Sequence, residues 1–142
     1  MGRFSTSQAV ATFRAQGRSI TAQRTAVFHL LERAEGHPTA EELHTELHRT
    51  VPRLALKTVY AILHELADLR LVAALPLPGG ATHWEQNSTP HGHLVCDTCR
   101  RVVDLPVDPS VLMPLVRHAA RRFDARRASL IVHGRCERCA AR

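Results

Sequence analysis

The four cysteines of this chain stand as two Cys-x-x-Cys pairs, Cys96–Cys99 and Cys136–Cys139, and no thiol lies outside them. Two residues between thiols suit a tight turn that aims both sulfurs at one ion, and two such turns complete a tetrahedral thiolate site for Zn2+. Any fold of the second half must therefore bring residues 96–99 against residues 136–139. A thiol redox pair is the competing reading, but one pair suffices for that chemistry and no βαβ pattern surrounds either pair. No run approaches the roughly 18 apolar residues that cross a bilayer, and the N-terminus lacks the apolar core of a signal peptide. A cytoplasmic protein with no membrane association is expected, and in a reducing compartment paired cysteines read as metal ligands.

The first half alternates helical periodicity with stop signals. Ser5 to Gln16 can form a helix with Val10 and Phe13 on one side and Gly17 as its stop. Thr21 can cap a helix from Ala22 to Arg33, with Ala26, Val27, Leu30 and Leu31 at helical spacing. After a break at Gly36-His37-Pro38, Thr39-Ala40-Glu41-Glu42 has the form of a capping box and opens a helix to about His48, with Leu43 and Leu47 as its buried stripe. Pro52 ends that helix. A fourth runs from Leu56 to Leu69 with Val59, Ile62, Leu63 and Leu66 inward, and Lys57, Thr58 and Tyr60 on its other face. Leu71–Leu75 and Ala81–Glu85 read as strands around a Pro78-Gly79-Gly80 turn.

Helices followed by a two-stranded hairpin is the order of a winged helix-turn-helix, in which the helix before the hairpin enters the major groove and the wing touches phosphates. Lys57, Thr58 and Tyr60, with Arg24 early in the second helix, are the candidate contacts to a double-stranded DNA operator. A plain solvated helix face, or a protein-binding module, is the alternative. The charge balance agrees with a polyanionic partner: 19 Lys plus Arg stand against 13 Asp plus Glu, for a net charge of +6. All the bases except Lys57 are arginine, which suits phosphates and guanine edges.

Gln86 to Pro90 is polar and turn-rich, which places a hinge at 86–90 between a DNA-binding domain (1–85) and a second domain (91–142). In the latter, His91–Val95 and Arg101–Leu105 read as strands joined by the first cysteine knuckle. A helix starting at or near Pro114 and running to Phe123 carries Leu115, Val116 and Ala119 opposite Arg117, Arg121 and Arg122. A strand from about Ala128 to His133 leads into the second cysteine pair. So small a sheet is marginal alone, and structural zinc contributes on the order of 10 kcal/mol to folds of this kind. An exposed apolar helix stripe and an unpaired strand edge both invite a second copy, so a homodimer built on this half is expected. The fold class is therefore α+β: an N-terminal winged helix-turn-helix domain plus a small C-terminal α/β dimerisation domain with a four-cysteine zinc site.

A second cluster has different chemistry. His91 and His93 are two apart, so on a strand both imidazoles share a face, and Asp104 on the neighbouring strand can come alongside. Imidazole and carboxylate donors suit a harder ion than thiolates do. His29, His44, His48, His64 and His118 read as surface or satisfied core residues, while His83 and His133 stay open.

Taken together, the winged helix, His91-x-His93-x-x-Cys96-x-x-Cys99 and the terminal Cys136-x-x-Cys139 resemble the ferric uptake regulator (Fur) family of metal-dependent transcriptional repressors. Thr21-Ala22-Gln23-Arg24, Gly36-His37-Pro38-Thr39-Ala40-Glu41-Glu42-Leu43 and Thr58-Val59-Tyr60 match as well, so the resemblance covers essentially the whole chain. It implies a homodimer that binds DNA when loaded with metal, and a regulatory site formed by His37, Glu85, His91, His93 and Asp104. Three imidazoles and two carboxylates suit Fe(II) or Mn(II) better than tetrahedral zinc.

Asp104 with His37, His91 and His93 resembles the peroxide-sensing (PerR-like) members, in which bound Fe(II) reacts with hydrogen peroxide and a ligand histidine is oxidised; His37 and His91 are the candidates here. Residue 85 is Glu where the peroxide sensors usually carry Asp, so an iron-uptake repressor is the alternative. Arg126-Arg127-Ala128-Ser129-Leu130 stands where many iron and zinc sensors have a further histidine, which weighs against a zinc sensor, with His118 or His133 as the substitutes the chain offers; a zinc or nickel sensor is the less favoured alternative. Ala61 follows Thr-Val-Tyr where the family usually has Arg, and Arg70 stands where a Gly commonly ends the recognition helix. From another class, a redox-metal enzyme is the contrasting hypothesis, but no separate nucleophile or general base is apparent and none is expected.

Overall fold

The computed structural model describes residues 2–75, 77 and 80–141, and the chain divides into two compact units, Met1–Thr89 and Pro90–Arg142. In the first unit α1 (Thr6–Ala15), α2 (Ala22–Arg33), α3 (Ala40–Leu47) and α4 (Leu56–Asp68) precede a hairpin of β1 (Ala73–Leu75) and β2 (His83–Glu85). Ser5, Thr21 and Thr39 cap the first three helices through their hydroxyls, and the Thr39–Glu42 capping box is formed in both directions. Gly17 closes α1 in the left-handed region at φ 67°, a conformation that costs glycine nothing.

At the end of α4 the same closure is made by Arg70 at φ 56°, with its amide donating to the Ala67 carbonyl and that of Leu71 to the Leu66 carbonyl. Val72 then turns into the core, which shortens the expected Leu71–Leu75 strand to Ala73–Leu75. The returning strand begins at His83 rather than Ala81. Pro78 and Gly79 of the expected turn lie outside the described residues.

The core of this unit is built from the inward faces of all four helices. Phe13 and Phe28 meet edge to face at 5.2 Å, Phe4 adds to them at 6.3 Å, and Val27, Leu31, Val59, Leu63, Leu66 and Trp84 are fully enclosed. Phe4 enters because the residues before α1 run beside those after β2: Arg3 pairs with Asn87 in an antiparallel bridge and the Phe4 amide donates to the Gln86 carbonyl at 2.9 Å. Gln86 is itself buried, so residues 86–89 are bound into the first unit. The boundary between the two units falls between Thr89 and Pro90, within the 86–90 stretch.

In the second unit β3 (Gly92–Cys96) is central, antiparallel to β4 (Val102–Leu105) and parallel to β5 (Ile131–Gly134). Gly92 allows a close approach there: a Cβ would meet the Leu130 carbonyl oxygen at 3.1 Å, and β5's lead-in would have to give way slightly to hold it. A 3-10 turn (Pro109–Leu112) leads into α5 (Met113–Ala119), and α6 (Glu137–Ala140) closes the chain. α5 ends four residues before the expected Phe123. Its only buried side chain is Met113, while Leu115 is 68 % exposed. A short helix with no packed face has little to extend it. Leu94, Val103 and Val132 leave an apolar sheet face exposed in the same unit.

Candidate metal centres

The parallel pairing of β3 with β5 sets Cys96 opposite Gly134, two residues before Cys136. The knuckle after Cys96 turns back through Arg100 at φ 63°, with the Arg100 amide donating to the Cys96 carbonyl at 2.9 Å. One sulfur from each of Cys96, Cys99, Cys136 and Cys139 consequently lies within 4.8 Å of the others. All four are unbridged thiols.

Their acid–base chemistry is already split. Backbone amides of Cys99 and Cys136 directed at the Cys96 sulfur bring its pKa down to about 6, and the Cys139 amide lowers Cys136. Cys139, hydrogen-bonded to the Cys136 thiol, is pushed up to about 12. A tetrad of soft donors this close, with amides favouring thiolate on two of them, is a donor set that fits tetrahedral zinc. Outside it, His133 Nδ1 and Asp97 Oδ1 lie 3.0 Å apart and tie β5 to the knuckle.

The imidazole and carboxylate set is divided between the units. In the first, Thr39 and His83 form an antiparallel bridge, the Trp84 amide donates to the Pro38 carbonyl at 2.9 Å, and His83 Nδ1 donates to the His37 carbonyl at 2.7 Å. The segment from His37 to Thr39 therefore lies along β2 in a register that sets residue 37 across from residue 85. His37 Nε2 is 2.9 Å from Glu85 Oε2, and both side chains are buried. The other oxygen, Oε1, accepts from the Asn87 amide at 2.7 Å, which fixes the carboxylate's orientation.

In the second unit His93 pairs in register with Asp104, His91 Nε2 is 3.5 Å from Asp104 Oδ1, and the two histidine rings are 4.7 Å apart. Ligand atoms of His91, His93 and Asp104 all lie within 4.8 Å of one another. Each half offers nitrogen and oxygen donors, the chemistry that fits Fe(II) or Mn(II).

The candidate DNA-contacting residues fare differently. Lys57 is exposed and Thr58 half-exposed in the first turn of α4, with no side chain capping that turn. The Tyr60 hydroxyl donates to Glu41 Oε1 at 2.6 Å, tying α4 to α3; the bond lowers the Glu41 carboxyl pKa and raises that of Tyr60. Arg24 is also tied within the unit: its guanidinium is bonded to both Glu65 oxygens, at 2.6 and 3.1 Å, and lies 5.2 Å from the Phe13 ring centroid. Sequence reasoning missed the Tyr60–Glu41 and Arg24–Glu65 pairings because nothing local marks a carboxylate as the partner of a residue on another helix.

Residues 15–133 match the sequence profile of the ferric uptake regulator family. The chain belongs to that family. Members of the family are metal-responsive transcriptional regulators rather than enzymes, and act as DNA-binding dimers. The peroxide-responsive repressor PerR of Staphylococcus epidermidis is 26 % identical over 132 residues, covering 93 % of this chain and 88 % of that protein. The Vibrio cholerae ferric uptake regulator structure superposes with a TM-score of 0.71 at 27 % identity, over 89 % of this chain and 98 % of that one. The fold is also shared with the Helicobacter pylori ferric uptake regulator, described as having three functional metal-binding sites, at a TM-score of 0.77 and 19 % identity, over 99 % and 97 % of the two chains. No helix among the described residues is long and apolar enough to cross a membrane.

Proposed function

We propose that this Fur-family regulator is a peroxide-sensing repressor that binds its operator as a homodimer when loaded with Fe(II) or Mn(II). In this reading Cys96, Cys99, Cys136 and Cys139 hold a structural Zn2+, and His37, Glu85, His91, His93 and Asp104 are ligands of a single regulatory ion. The observation that carries the reading is the pairing of His37 with Glu85 at 2.9 Å in the unit that holds the wing. The matching set of His91, His93 and Asp104 lies in the other.

Ligands on both units make metal affinity depend on their arrangement, so metal selects the arrangement in which all five side chains engage it. Lys57 and Thr58 of α4 then meet base edges and phosphates in successive major grooves of a two-fold operator. The exposed sheet face of Leu94, Val103 and Val132, with Leu115 of α5, supplies apolar surface for the homodimer.

Bound Fe(II) would mediate the cleavage of hydrogen peroxide, the net reaction passing one peroxide oxygen to an imidazole carbon of His37 or His91 and releasing the other as water. In this reading His37 and His91 are the side chains that take up oxygen, and losing either as a ligand releases the DNA-binding arrangement. The PerR relatives and the Asp at 104 support peroxide sensing. Glu85, with its longer side chain where peroxide sensors usually carry Asp, favours iron-level sensing as the second reading.

Binding to an operator selected with the Mn(II)-loaded protein separates the two, measured with Mn(II), Fe(II) and Zn(II), each with and without peroxide. Loss of binding confined to the peroxide-treated Fe(II) form, with one oxygen atom added to the peptide of His37 or His91, is the expected result. Insensitivity of the Fe(II) form assigns the protein to iron-level sensing, and a response to Zn(II) alone removes the ligand assignment.

A further inference from the structure

The charge of this chain is not where its winged helix would put it. Residues 1–89 carry nine basic side chains against eight acidic ones, whereas residues 90–142 carry ten, all arginine, against five. Nearly all of the +6 therefore belongs to the second unit. Its densest stretch follows α5, where Arg117 is succeeded by Arg121-Arg122-Phe123-Asp124-Ala125-Arg126-Arg127. All five arginines are exposed, and Phe123, between the two pairs, is 70 % exposed. Among the described residues only Arg126 of the five is ion-paired, to Asp124 at 3.0 Å, and both of those side chains stand in water.

Ordinary roles account for part of this. Arg117 and His118 lie in the last turn of α5, where cations complement the helix dipole, but the effect does not reach the residues beyond it. Solubility is served by mixed charge and by few exposed aromatics, and this stretch has neither feature. Two main-chain bonds, Phe123 N–H to the Ala120 carbonyl at 2.9 Å and Ala125 N–H to the Phe123 carbonyl at 3.0 Å, hold the segment in a turn that displays both arginine pairs.

We infer that residues 117–127 form a second, sequence-independent contact surface for the phosphodiester backbone of nucleic acid. Guanidinium forks bind phosphate oxygens in bidentate fashion and are less strongly hydrated than ammonium groups, and this unit uses arginine without exception. An exposed ring among the cations adds a stacking or apolar face, a combination that recurs at nucleic-acid surfaces. The surface adds general, salt-sensitive affinity to the selection made by α4, a near-neutral unit being poorly supplied for both tasks. It goes beyond the operator reading and requires no regulatory metal.

The test uses the full-length zinc-containing chain, without Mn(II) or Fe(II), and a fluorescent DNA duplex of scrambled sequence titrated over a range of salt. Three forms are compared: wild type, a quadruple variant (Arg121→Ser, Arg122→Ser, Arg126→Ser, Arg127→Ser), and a double variant of the recognition helix (Lys57→Ala, Thr58→Ala). Because phosphate contacts each contribute about 0.9 to the slope of log affinity against log salt, the quadruple variant is expected to lose roughly 2 to 4 of that slope. It should also bind at least tenfold more weakly at low salt, with zinc content and dimer state unchanged. The double variant should keep its scrambled-duplex binding.

An unchanged slope in the quadruple variant overturns the inference. So does unchanged duplex binding accompanied by lost binding to polyglutamate or to anionic vesicles, which reassigns the segment to an acidic protein or a membrane. Stimulation of operator binding by Mn(II) is read on the same samples. Its failure in the wild type would count against the operator reading and leave this surface standing.

Discussion

His37 Nε2 and Glu85 Oε2 lie 2.9 Å apart although 48 positions separate them. The contact follows from main-chain register: the Thr39–His83 bridge runs antiparallel, so each step back from Thr39 is matched by a step forward from His83. If this pair is half of the regulatory site, His37→Ala should leave the zinc centre and the dimer intact. It should cost more in Mn(II) affinity than the roughly 10- to 100-fold associated with losing a ligand's outer partner. Metal titration by electron paramagnetic resonance, followed by operator binding, checks this; undiminished Mn(II) affinity would remove His37 from the ligand set.

Cys96→Ser should release zinc and unfold the second unit while the helices of the first survive. Structural zinc contributes on the order of 10 kcal/mol to small folds, more than a three-stranded sheet with α5 unpacked can replace. Circular dichroism should fall only in part, and about one zinc per wild-type chain should be released by a chelator. A stable second unit without metal would contradict the assignment.

Zinc affinity at this centre should rise with pH. Cys139, held up to about 12, is protonated at neutral pH and must surrender its proton on binding, whereas Cys96, at about 6, is already largely thiolate. Acidification through about 6 reprotonates Cys96 as well and weakens the site further. Calorimetry in buffers of different ionisation enthalpy should record net proton release at pH 7 to 8.

Arg24→Ala should act on stability. Removing the guanidinium takes the bidentate bonds from Glu65, leaving it only Arg18 at 3.6 Å among the described residues, and removes one of two guanidinium groups over the Phe13 ring, which for a part-buried pair costs about 1 to 3 kcal/mol. Denaturant unfolding should show the loss. Weakened operator binding with unchanged stability would assign Arg24 to the DNA surface.

Arg70→Gly should stabilise the first unit. The left-handed conformation costs a non-glycine residue about 1 to 2 kcal/mol, part of which is returned by the greater unfolded-state freedom of glycine. A net gain of about 0.5 to 1 kcal/mol, seen as a higher Tm, is expected.

What could be read from the residues was what depends on near neighbours. The Thr39–Glu42 capping box, the Thr21 cap and the span of α2 from Ala22 to Arg33 agree with the structure because each rests on residues within a turn or two. Asp104 beside His93 was accessible as well, since two strands joined by a cysteine knuckle have little freedom of register. The bond from Trp84 to Pro38 and the addition of Phe4 and Gln86 to the core were not accessible, being pairings of distant segments without a local signature. α5 shows the converse error: periodicity through Phe123 suggested a longer helix, but periodicity without a packing partner does not hold one together.

Trp84 is the chain's single tryptophan, wholly enclosed, edge to face with His64 at 5.3 Å and next in sequence to Glu85. Its ultraviolet emission therefore comes from one emitter in one environment, a covalent neighbour of a candidate ligand. A paramagnetic ion captured by Glu85 and His37 is expected to dim that light, and a diamagnetic one to leave it bright. Occupancy can then be followed in unlabelled protein during the same titration that measures DNA binding.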